Sequence, residues 1–252
     1  MIYIGIPVHD EGHTIGPLLW KIRELLKGRG RDFRVLVLDD ASEDAASGRL
    51  EAYRQVLPLT VLRNGSCRGY GACLERLARE ALRRSEYPRR DALVTLQADM
   101  TDSPDAIPEM VRRFEGGMDL VTAVPAAEPA PPRRVALARL GARLLARSLP
   151  RPQEVTDPFG SLRLYRLFTL QRAVQALGEG ERLISHEGWA ANAELLLRVW
   201  PHVRRAEEVM APVDYHRRYR ASRFRAVRTV RDLRQLARAP GRRETERVVA
   251  PT

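Results

Sequence analysis

Carboxylate side chains cluster directly after three short apolar segments of the 252-residue chain, where they could bind a charged ligand. The clusters read His-Asp-Glu-Gly, Asp-Asp-Ala-Ser-Glu-Asp and Gln-Ala-Asp-Met-Thr-Asp, at residues 9–12, 39–44 and 97–102. Carboxylates that are packed together repel one another unless a cation or hydrogen-bond donors neutralise them. Mg²⁺ and Mn²⁺ favour oxygen ligands, commonly one or two carboxylates together with substrate phosphates. The clusters therefore predict a divalent metal or ribose hydroxyls around Asp39, Asp40 and Asp99, and a nucleoside diphosphate as the ligand.

The elements that must bring these clusters together are short strands that alternate with helices. Runs of β-forming residues predict strands at Ile2–Val8, Phe33–Leu38, Thr60–Arg63, Ala92–Gln97 and Asp119–Ala123. Apolar residues keep helical spacing from Ile15 to Leu26 and from Leu74 to Leu82. The alternation predicts an α/β fold with a mainly parallel sheet and helices on both faces. Ligands of such a sheet bind beyond the carboxyl ends of its strands, which is where the three clusters lie.

Each of these features also has an ordinary structural interpretation. Asp39 and Asp40 could cap a helix, and Asp99 and Asp102 could form a turn, because aspartate favours both positions. Three glycines precede the helical pattern that contains Leu74, at positions 65, 69 and 71. They could approach a phosphate or form a tight turn, and their spacing matches neither the dinucleotide-binding motif nor the P-loop.

Composition limits the possible partners and the cellular location. The formal net charge of +11, carried almost entirely by arginine, favours anionic partners, unless it reflects a general compositional bias. Nucleic acid is disfavoured because the chain lacks clustered aromatic residues and a known docking motif. Two cysteines are too few for a disulfide framework. No apolar run reaches the length of a membrane span, and no secretory signal is recognisable, so we expect a cytoplasmic protein.

The segment Arg133–Leu149 predicts an amphipathic helix with arginines on its polar side, at positions 139, 143 and 147. It is either an ordinary surface helix or a helix that lies on an anionic membrane surface, since arginines can meet lipid headgroups while leucines are buried. We expect one domain over residues 1–238, which ends in further amphipathic helices, and a flexible tail over 239–252. The tail has few residues that could be buried.

Several segments together resemble one enzyme family. Ile-Pro-Val-His-Asp-Glu at 6–11 resembles the pattern Ile-Pro-x-Tyr-Asn-Glu, and Val-Leu-Asp-Asp-Ala-Ser-Glu-Asp at 37–44 resembles Val-Asp-Asp-x-Ser-x-Asp. Gln-Ala-Asp at 97–99 is similar to a metal-binding Asp-Ala-Asp motif. Asp-Pro-Phe-Gly-Ser-Leu-Arg-Leu-Tyr at 157–165 resembles Asp-x-x-Ser-Gly-Phe-Arg-Leu-Tyr, and residues 211–223 are similar to Val-Pro-Ile followed by Arg-x-x-Gly-x-Ser-Lys. In this order, the segments resemble the glycosyltransferase family 2 enzymes, particularly the dolichyl- or polyprenyl-phosphate sugar synthases.

The resemblance implies a GT-A fold and an inverting transferase that moves a sugar from a GDP- or UDP-sugar with the help of Mg²⁺ or Mn²⁺. It implies nucleotide-sugar contacts from Pro7, His9, Glu11, Asp39, Asp40, Gln97, Ala98 and Asp99. It implies metal binding by Asp99, Thr101 and Asp102, and catalytic roles for Asp99, Arg163 and Arg217. Phosphate or acceptor binding falls to Arg163, Arg217, Ser222 and Arg223. Gln97 departs from the family motif by replacing its first aspartate, so the metal would depend mainly on Asp99, assisted either by an amide oxygen or by Asp102.

The resemblance also implies a polyprenyl-phosphate acceptor, reached by peripheral contact with the cytoplasmic face of a membrane. Two alternatives stay open at this point. A hydrophilic acceptor, such as a sugar, a phosphorylated metabolite or a protein, would keep the same chemistry. A protein that binds a nucleotide-sugar without transferring it would follow if Gln97 had cost the enzyme its activity.

Overall fold

A computed structural model describes residues 1–44, 46–125 and 155–211, together with residues 231, 232, 235 and 236. Its strands are β1 Ile2–Val8, β2 Phe33–Asp39, β3 Leu59–Arg63, β4 Ala92–Thr95, β5 Leu120–Pro125, β6 Arg163–Arg166 and β7 Ala206–Ala211. Its helices are α1 Ile15–Leu26, α2 Ala46–Tyr53, α3 Tyr70–Arg84, α4 Ile107–Glu115, α5 Leu167–Gln175 and α6 Gly188–Val199. Single 3₁₀ turns cover Pro104–Ala106 and Trp200–His202.

These strands form one sheet in the order β3-β2-β1-β4-β6-β5-β7. Neighbouring strands pair in parallel except at β6, which is antiparallel to both β4 and β5. The carboxyl ends of β1, β2 and β4 therefore lie on one edge, with β1 in the middle. The clusters that follow these strands are brought to that edge, as the sequence predicts.

The apolar pattern of the strands explains why helices cover the sheet on both sides. Alternate residues of β1, from Ile2 to Val8, pack on one face against α1, α2 and α4. Tyr3 and its neighbours in β2 and β4 pack on the other face against α3, α5 and α6. A strand that is buried on both faces is typical of a parallel sheet, which needs a helical layer on each side.

The predicted strands are confirmed, with one end placed wrongly. The strand predicted to run to Gln97 ends at Thr95, because the ladder between β4 and β6 stops at the pair Thr95 and Arg163. Beyond this pair, the Gln97 side chain forms a hydrogen bond with Ser161, which lies just before β6. The other predicted strands agree with the structure to within two residues at each end.

Parts of the predicted architecture lie outside the described residues: the Arg133–Leu149 helix, the 239–252 tail and most of the C-terminal amphipathic helices. Residues 231, 232, 235 and 236 are helical, and Leu236 is buried against Phe159 and Leu197. Within the described part of the chain, no helix has the length and apolar character needed to cross a membrane.

Candidate active site

Strained backbone marks the edge of the sheet at which the acidic clusters meet. Among the described residues, three that are not glycine have a positive φ: Asp10 at 53°, Ala41 at 56° and Met100 at 58°. Each lies in the loop directly after β1, β2 or β4. The left-handed conformation costs an L-residue about 1–2 kcal/mol, so it persists only where the surroundings enforce it, and such residues concentrate at functional sites. This edge is therefore the candidate active site.

The loops after β1 and β2 hold each other in place through polar contacts. The Asp10 main-chain N–H donates to Ser42 Oγ at 2.9 Å, and the Glu43 N–H donates to Asp10 Oδ1 at 2.9 Å. His9 Nδ1 lies 2.8 Å from the main-chain oxygen of Asp40. These contacts explain the left-handed backbone of Asp10, and they place His9 beside the second acidic cluster.

The Asp39 carboxylate is completely buried at the end of β2. Its Oδ1 accepts the Ser42 main-chain N–H at 2.9 Å, and its Oδ2 accepts Arg63 Nε at 3.0 Å. The Asp39 main-chain oxygen accepts the Asn64 N–H at 2.9 Å. Asp39 thus joins its own loop to the end of β3, while half of the Arg63 side chain stays exposed at the edge.

Asp40 accepts hydrogen bonds from the loop that connects β3 to α3. Its Oδ1 accepts the Arg68 N–H at 2.8 Å and Asn64 Nδ2 at 2.6 Å, and its Oδ2 accepts the Gly69 N–H at 2.8 Å. The Cys67 thiol also donates to Oδ2, at 3.4 Å. Burial raises the pKa of this carboxyl, but the hydrogen bonds outweigh it and hold the pKa below its usual value. Asp40 is therefore an anion that organises the loop.

Two of the glycines before and at the start of α3, Gly69 and Gly71, allow close packing against the segment before α6. The Gly69 N–H donates to Asp40, and the Gly71 N–H donates to Glu187 Oε2 at 3.0 Å. A Cβ on Gly71 would lie 1.9 Å from the main-chain oxygen of His186. Glycine at this position lets the start of α3 approach the segment before α6.

The third cluster contains the predicted metal ligands. The Thr101 N–H donates to Asp99 Oδ1 at 3.0 Å, which sets the turn around left-handed Met100. Gln97 Nε2 donates to Ser161 Oγ at 3.0 Å, and Ser161 Oγ donates in turn to Asp102 Oδ2 by a short hydrogen bond. Asp99 and Asp102 are half-buried, whereas Thr101 is buried.

The predicted phosphate ligand Arg163 lies inside the protein, where it is 1% exposed. Its Nη1 donates to the main-chain oxygen of Asn192 at 2.7 Å, and its Nη2 donates to that of Asp157 at 3.0 Å. Asn192 Oδ1 accepts the Tyr70 hydroxyl at 2.8 Å, so the network joins β6, α6 and α3. The structure gives Arg163 a structural role, and its binding of phosphate stays a prediction.

Some of the other predicted residues lie at this edge of the sheet, and the rest lie outside the described residues. Pro7 lies in β1 opposite Leu38, and Ala98 is buried between Gln97 and Asp99. Glu11 Oε2 accepts the Thr14 hydroxyl at 3.0 Å at the start of α1. Arg217, Ser222 and Arg223 lie outside the described residues. Ser161, Tyr70 and Asn192 could not be predicted as members of this network, because a single polar residue carries no local signal of a partner that is distant in the sequence.

The residues after β4 fit a divalent metal that also binds a substrate. Within the described ranges, no group of three or more His, Cys, Asp or Glu side chains could hold a metal by itself. The side chains of Asp99, Thr101 and Asp102 offer only oxygen atoms as ligands, and two of the three are carboxylates. Mg²⁺ and Mn²⁺ commonly take one or two carboxylates and complete their shell with substrate phosphates and water. The donor set therefore suits a metal that arrives with a diphosphate.

The fold is also found in solved glycosyltransferases. Glucosyl-3-phosphoglycerate synthase from Mycobacterium tuberculosis, in complex with Mn²⁺ and UDP-glucose, aligns with a TM-score of 0.66 and 19% identity, over 94% of this chain and 77% of that one. A further structure of that synthase aligns with a TM-score of 0.63 and 21% identity, again over 94% of this chain and 77% of the other. These similarities establish a GT-A fold.

Sequence similarity extends to curated proteins over part of their length. The undecaprenyl-phosphate 4-deoxy-4-formamido-L-arabinose transferase of Pseudomonas paraeruginosa is 29% identical over 124 residues, which make up 49% of this chain and 35% of that protein. The transferase of the same name from Shewanella sediminis is 28% identical over 123 residues, or 49% and 36% of the two chains. This chain thus matches about a third of the length of these relatives. Residues 3–172 match the family described as Glycosyl transferase family 2, and the chain belongs to that family.

Proposed function

We propose that the protein is an inverting glycosyltransferase that moves a sugar from a GDP- or UDP-sugar to a polyprenyl phosphate. The observation that carries this proposal is the edge of the sheet at which β1, β2 and β4 end in strained loops that bear carboxylates. Membership of glycosyl transferase family 2 supports the reaction. The undecaprenyl-phosphate transferases among its relatives support the acceptor.

In this proposal, the nucleoside lies against the loops after β1 and β2. Pro7, His9 and Glu11 form one wall, and the imidazole of His9 can stack on the base. Asp39 and Asp40 hold the other wall, because their hydrogen bonds fix the loops that begin at Ser42 and Asn64. Walls that are fixed before binding lower the entropic cost of ordering them around the nucleotide.

The diphosphate lies at the cluster after β4, beside Gln97, Ala98 and Asp99. When bound there, a divalent metal would supply positive charge that stabilises the nucleoside diphosphate as it leaves. Asp99, Thr101 and Asp102 would hold it. Charge that develops on a leaving group is best stabilised by groups that are already in position, which the turn between Asp99 and Thr101 provides.

Arginines complete the neutralisation of phosphate. We assign this role to Arg217 and Arg223, with Ser222 as a hydroxyl donor, because the guanidinium group forms paired hydrogen bonds with phosphate oxygens. Arg163 acts from the interior, where it holds the Asp157 and Asn192 main chains behind the site. A direct contact of Arg163 with phosphate would require one of these hydrogen bonds to be exchanged.

A lipid phosphate acceptor is anionic near neutral pH, so it needs only to be positioned for attack on the anomeric carbon. The helix predicted at Arg133–Leu149 would bring the protein to the cytoplasmic face of an anionic membrane. Binding to anionic vesicles should fall as salt concentration rises, and it should be lost when the arginines at 139, 143 and 147 are replaced by glutamine. Binding that is indifferent to salt and to these changes would refute this membrane contact.

A screen of nucleotide-sugars and acceptors tests the proposed reaction. GDP- and UDP-sugars labelled in the sugar would be offered with Mn²⁺ and either a polyprenyl phosphate or phosphoglyceric acid, since one solved structure with this fold, glucosyl-3-phosphoglycerate synthase, contains phosphoglyceric acid. Label in the lipid phase is expected. Label only in an aqueous product would point to a hydrophilic acceptor, and binding without turnover would point to a protein that has lost transferase activity.

Replacement of Asp99 by asparagine separates metal-dependent transfer from nucleotide binding. Asn keeps the size of the side chain and one acceptor oxygen for the Thr101 N–H, but it removes the negative charge. We expect transfer to fall at least about 100-fold, the loss seen when a main electrostatic stabiliser is removed. The exposed Asp32, just before the amino end of β2 and therefore at the opposite end of that strand, provides a control, because Asp32→Asn should leave transfer unchanged. Full activity of Asp99→Asn would refute the assignment.

A further inference from the structure

The side chain of Gln97 belongs to a polar connection between β4 and β6 that the metal motif alone does not explain. Thr95 of β4 pairs with Arg163 of antiparallel β6. If this register continues by two residues, Gln97 stands opposite Ser161, with both side chains on the same face. The two side chains do meet, since Gln97 Nε2 donates to Ser161 Oγ at 3.0 Å.

The direction of the hydrogen bonds can be assigned from the chemistry of the three groups. The Ser161 hydroxyl has a single proton, and it donates that proton to Asp102 Oδ2. Its lone pairs are left as acceptors, so Gln97 must present its NH₂ group and not its carbonyl oxygen. The connection therefore runs from the amide of Gln97 through the hydroxyl of Ser161 to the carboxylate of Asp102.

The main chain of Ser161 is held as firmly as its side chain. Its carbonyl oxygen accepts the Thr95 hydroxyl at 2.7 Å, and both residues are buried. Asp102 is half-buried, and its Oδ2 accepts the hydroxyl proton of this fixed Ser161. The hydroxyl of Ser161 is thus a donor to Asp102 whose position is fixed by the main-chain contact with Thr95.

We propose that Gln97 and Ser161 form a positioning pair that orients Asp102 as the second carboxylate of the metal site, so that Asp102 and not Gln97 joins Asp99. This inference rests on the proposed function. A donor that holds a metal-binding carboxylate fixes its orientation, and the loss of such a donor typically lowers metal affinity about 10- to 100-fold. The family pattern that the chain resembles has aspartate and glycine where this chain has Gln97 and Ser161, so the two departures contact each other.

Metal affinity provides a readout that does not depend on turnover. Calorimetric titration of Mn²⁺ into protein saturated with UDP or GDP would compare the wild type with Gln97→Ala, Ser161→Ala and the double variant. We expect each single change to lower Mn²⁺ affinity about 10-fold, and the double change to lower it no further. The exposed Gln175 at the end of α5 gives a matched control, since Gln175→Ala should leave the affinity unchanged.

The alternatives give different patterns. If Gln97 bound the metal itself, the losses from Gln97→Ala and Ser161→Ala would multiply, and the proposal would be overturned. It would also be overturned if both single variants bound Mn²⁺ as the wild type does. A wild type that bound neither nucleotide with Mn²⁺ would overturn the proposed function as well, which distinguishes the two failures.

Two further variants keep the proposal testable if the loss of the hydroxyl disturbs folding. Asp102→Asn should lower Mn²⁺ affinity at least as much as Ser161→Ala, and adding Ser161→Ala to Asp102→Asn should lower it no further. The pair Gln97→Asp/Ser161→Gly restores the family pattern and should recover affinity relative to Ser161→Gly alone. Additive losses in the double variant of Asp102 and Ser161 would contradict the proposed role of Gln97 and Ser161. So would a failure of Gln97→Asp to recover affinity in the Ser161→Gly protein. Thermal unfolding of every variant would confirm that it is folded.

Discussion

Replacing Asp40 by alanine should destabilise the protein strongly, because it removes a buried, charged acceptor from several donors at once. The carboxylate is 3% exposed and accepts two main-chain N–H groups and the Asn64 amide. A hydrogen bond to a charged group contributes about 1.5–3 kcal/mol. For the N–H groups of Arg68 and Gly69 together, we expect a loss of about 4 kcal/mol. This is a large fraction of the roughly 5–15 kcal/mol by which a domain is stable.

Urea denaturation at neutral pH, followed by tryptophan fluorescence and by circular dichroism, would measure this loss. Asp44→Ala is the matched control, because exposed Asp44 also accepts two main-chain N–H groups, from Gly12 and Ala46. Water can replace its carboxylate, so we expect a loss of about 1 kcal/mol there. If Asp40→Ala were no more destabilising than Asp44→Ala, the structural role assigned to Asp40 would be wrong.

The effect of Asp40→Ala should also depend on pH. The pKa of Asp40 is lowered in the folded protein, so its stabilisation is fully present above the unfolded pKa of about 3.9. It is lost as the pH falls through the lower, folded pKa, because the carboxyl must then be protonated. The difference in stability between the wild type and Asp40→Ala should therefore shrink in acid. A difference that grows as the pH falls would refute the argument.

Two more perturbations follow from the packing and charge of the described residues. Gly71→Ala should destabilise by several kcal/mol, because its Cβ would meet the His186 main chain, whereas Gly48→Ala, in α2 with open space around it, should stabilise by about 0.5–1 kcal/mol. Equal effects of the two changes in thermal unfolding would contradict the close approach at Gly71. Burial raises the pKa of Glu75 and of Glu194, but hydrogen bonds lower each pKa by a larger amount, so that both lie below the usual value. The main side-chain donor is Arg79 for Glu75 and His186 for Glu194. Each should add stability above about pH 4 that disappears in acid, which stability curves of Glu75→Gln and Glu194→Gln would measure.

The layout of the fold could be read from local patterns in the chain. Apolar runs such as that of β1 and helical spacing such as that of α1 depend on neighbouring residues, and both elements match their predicted bounds. The carboxyl edge followed from the alternation of strands and helices, since parallel strands end on the same side. The antiparallel direction of β6 could not be predicted, because it depends on which distant strand β6 pairs with, and local sequence patterns do not specify that partner.

The partners of the site residues were decided by the tertiary structure. Asp40 was recognisable as a residue of the site, yet its burial under the loop before α3 depends on contacts with residues 24 to 29 positions away. Gln97 meets Ser161 from 64 positions away only because β4 and β6 are antiparallel in one particular register. Residue type and spacing thus determined which side chains reach the edge of the sheet. Strand register and loop packing decided which of them hold the site together, because hydrogen bonds between distant segments form only once those segments are placed side by side.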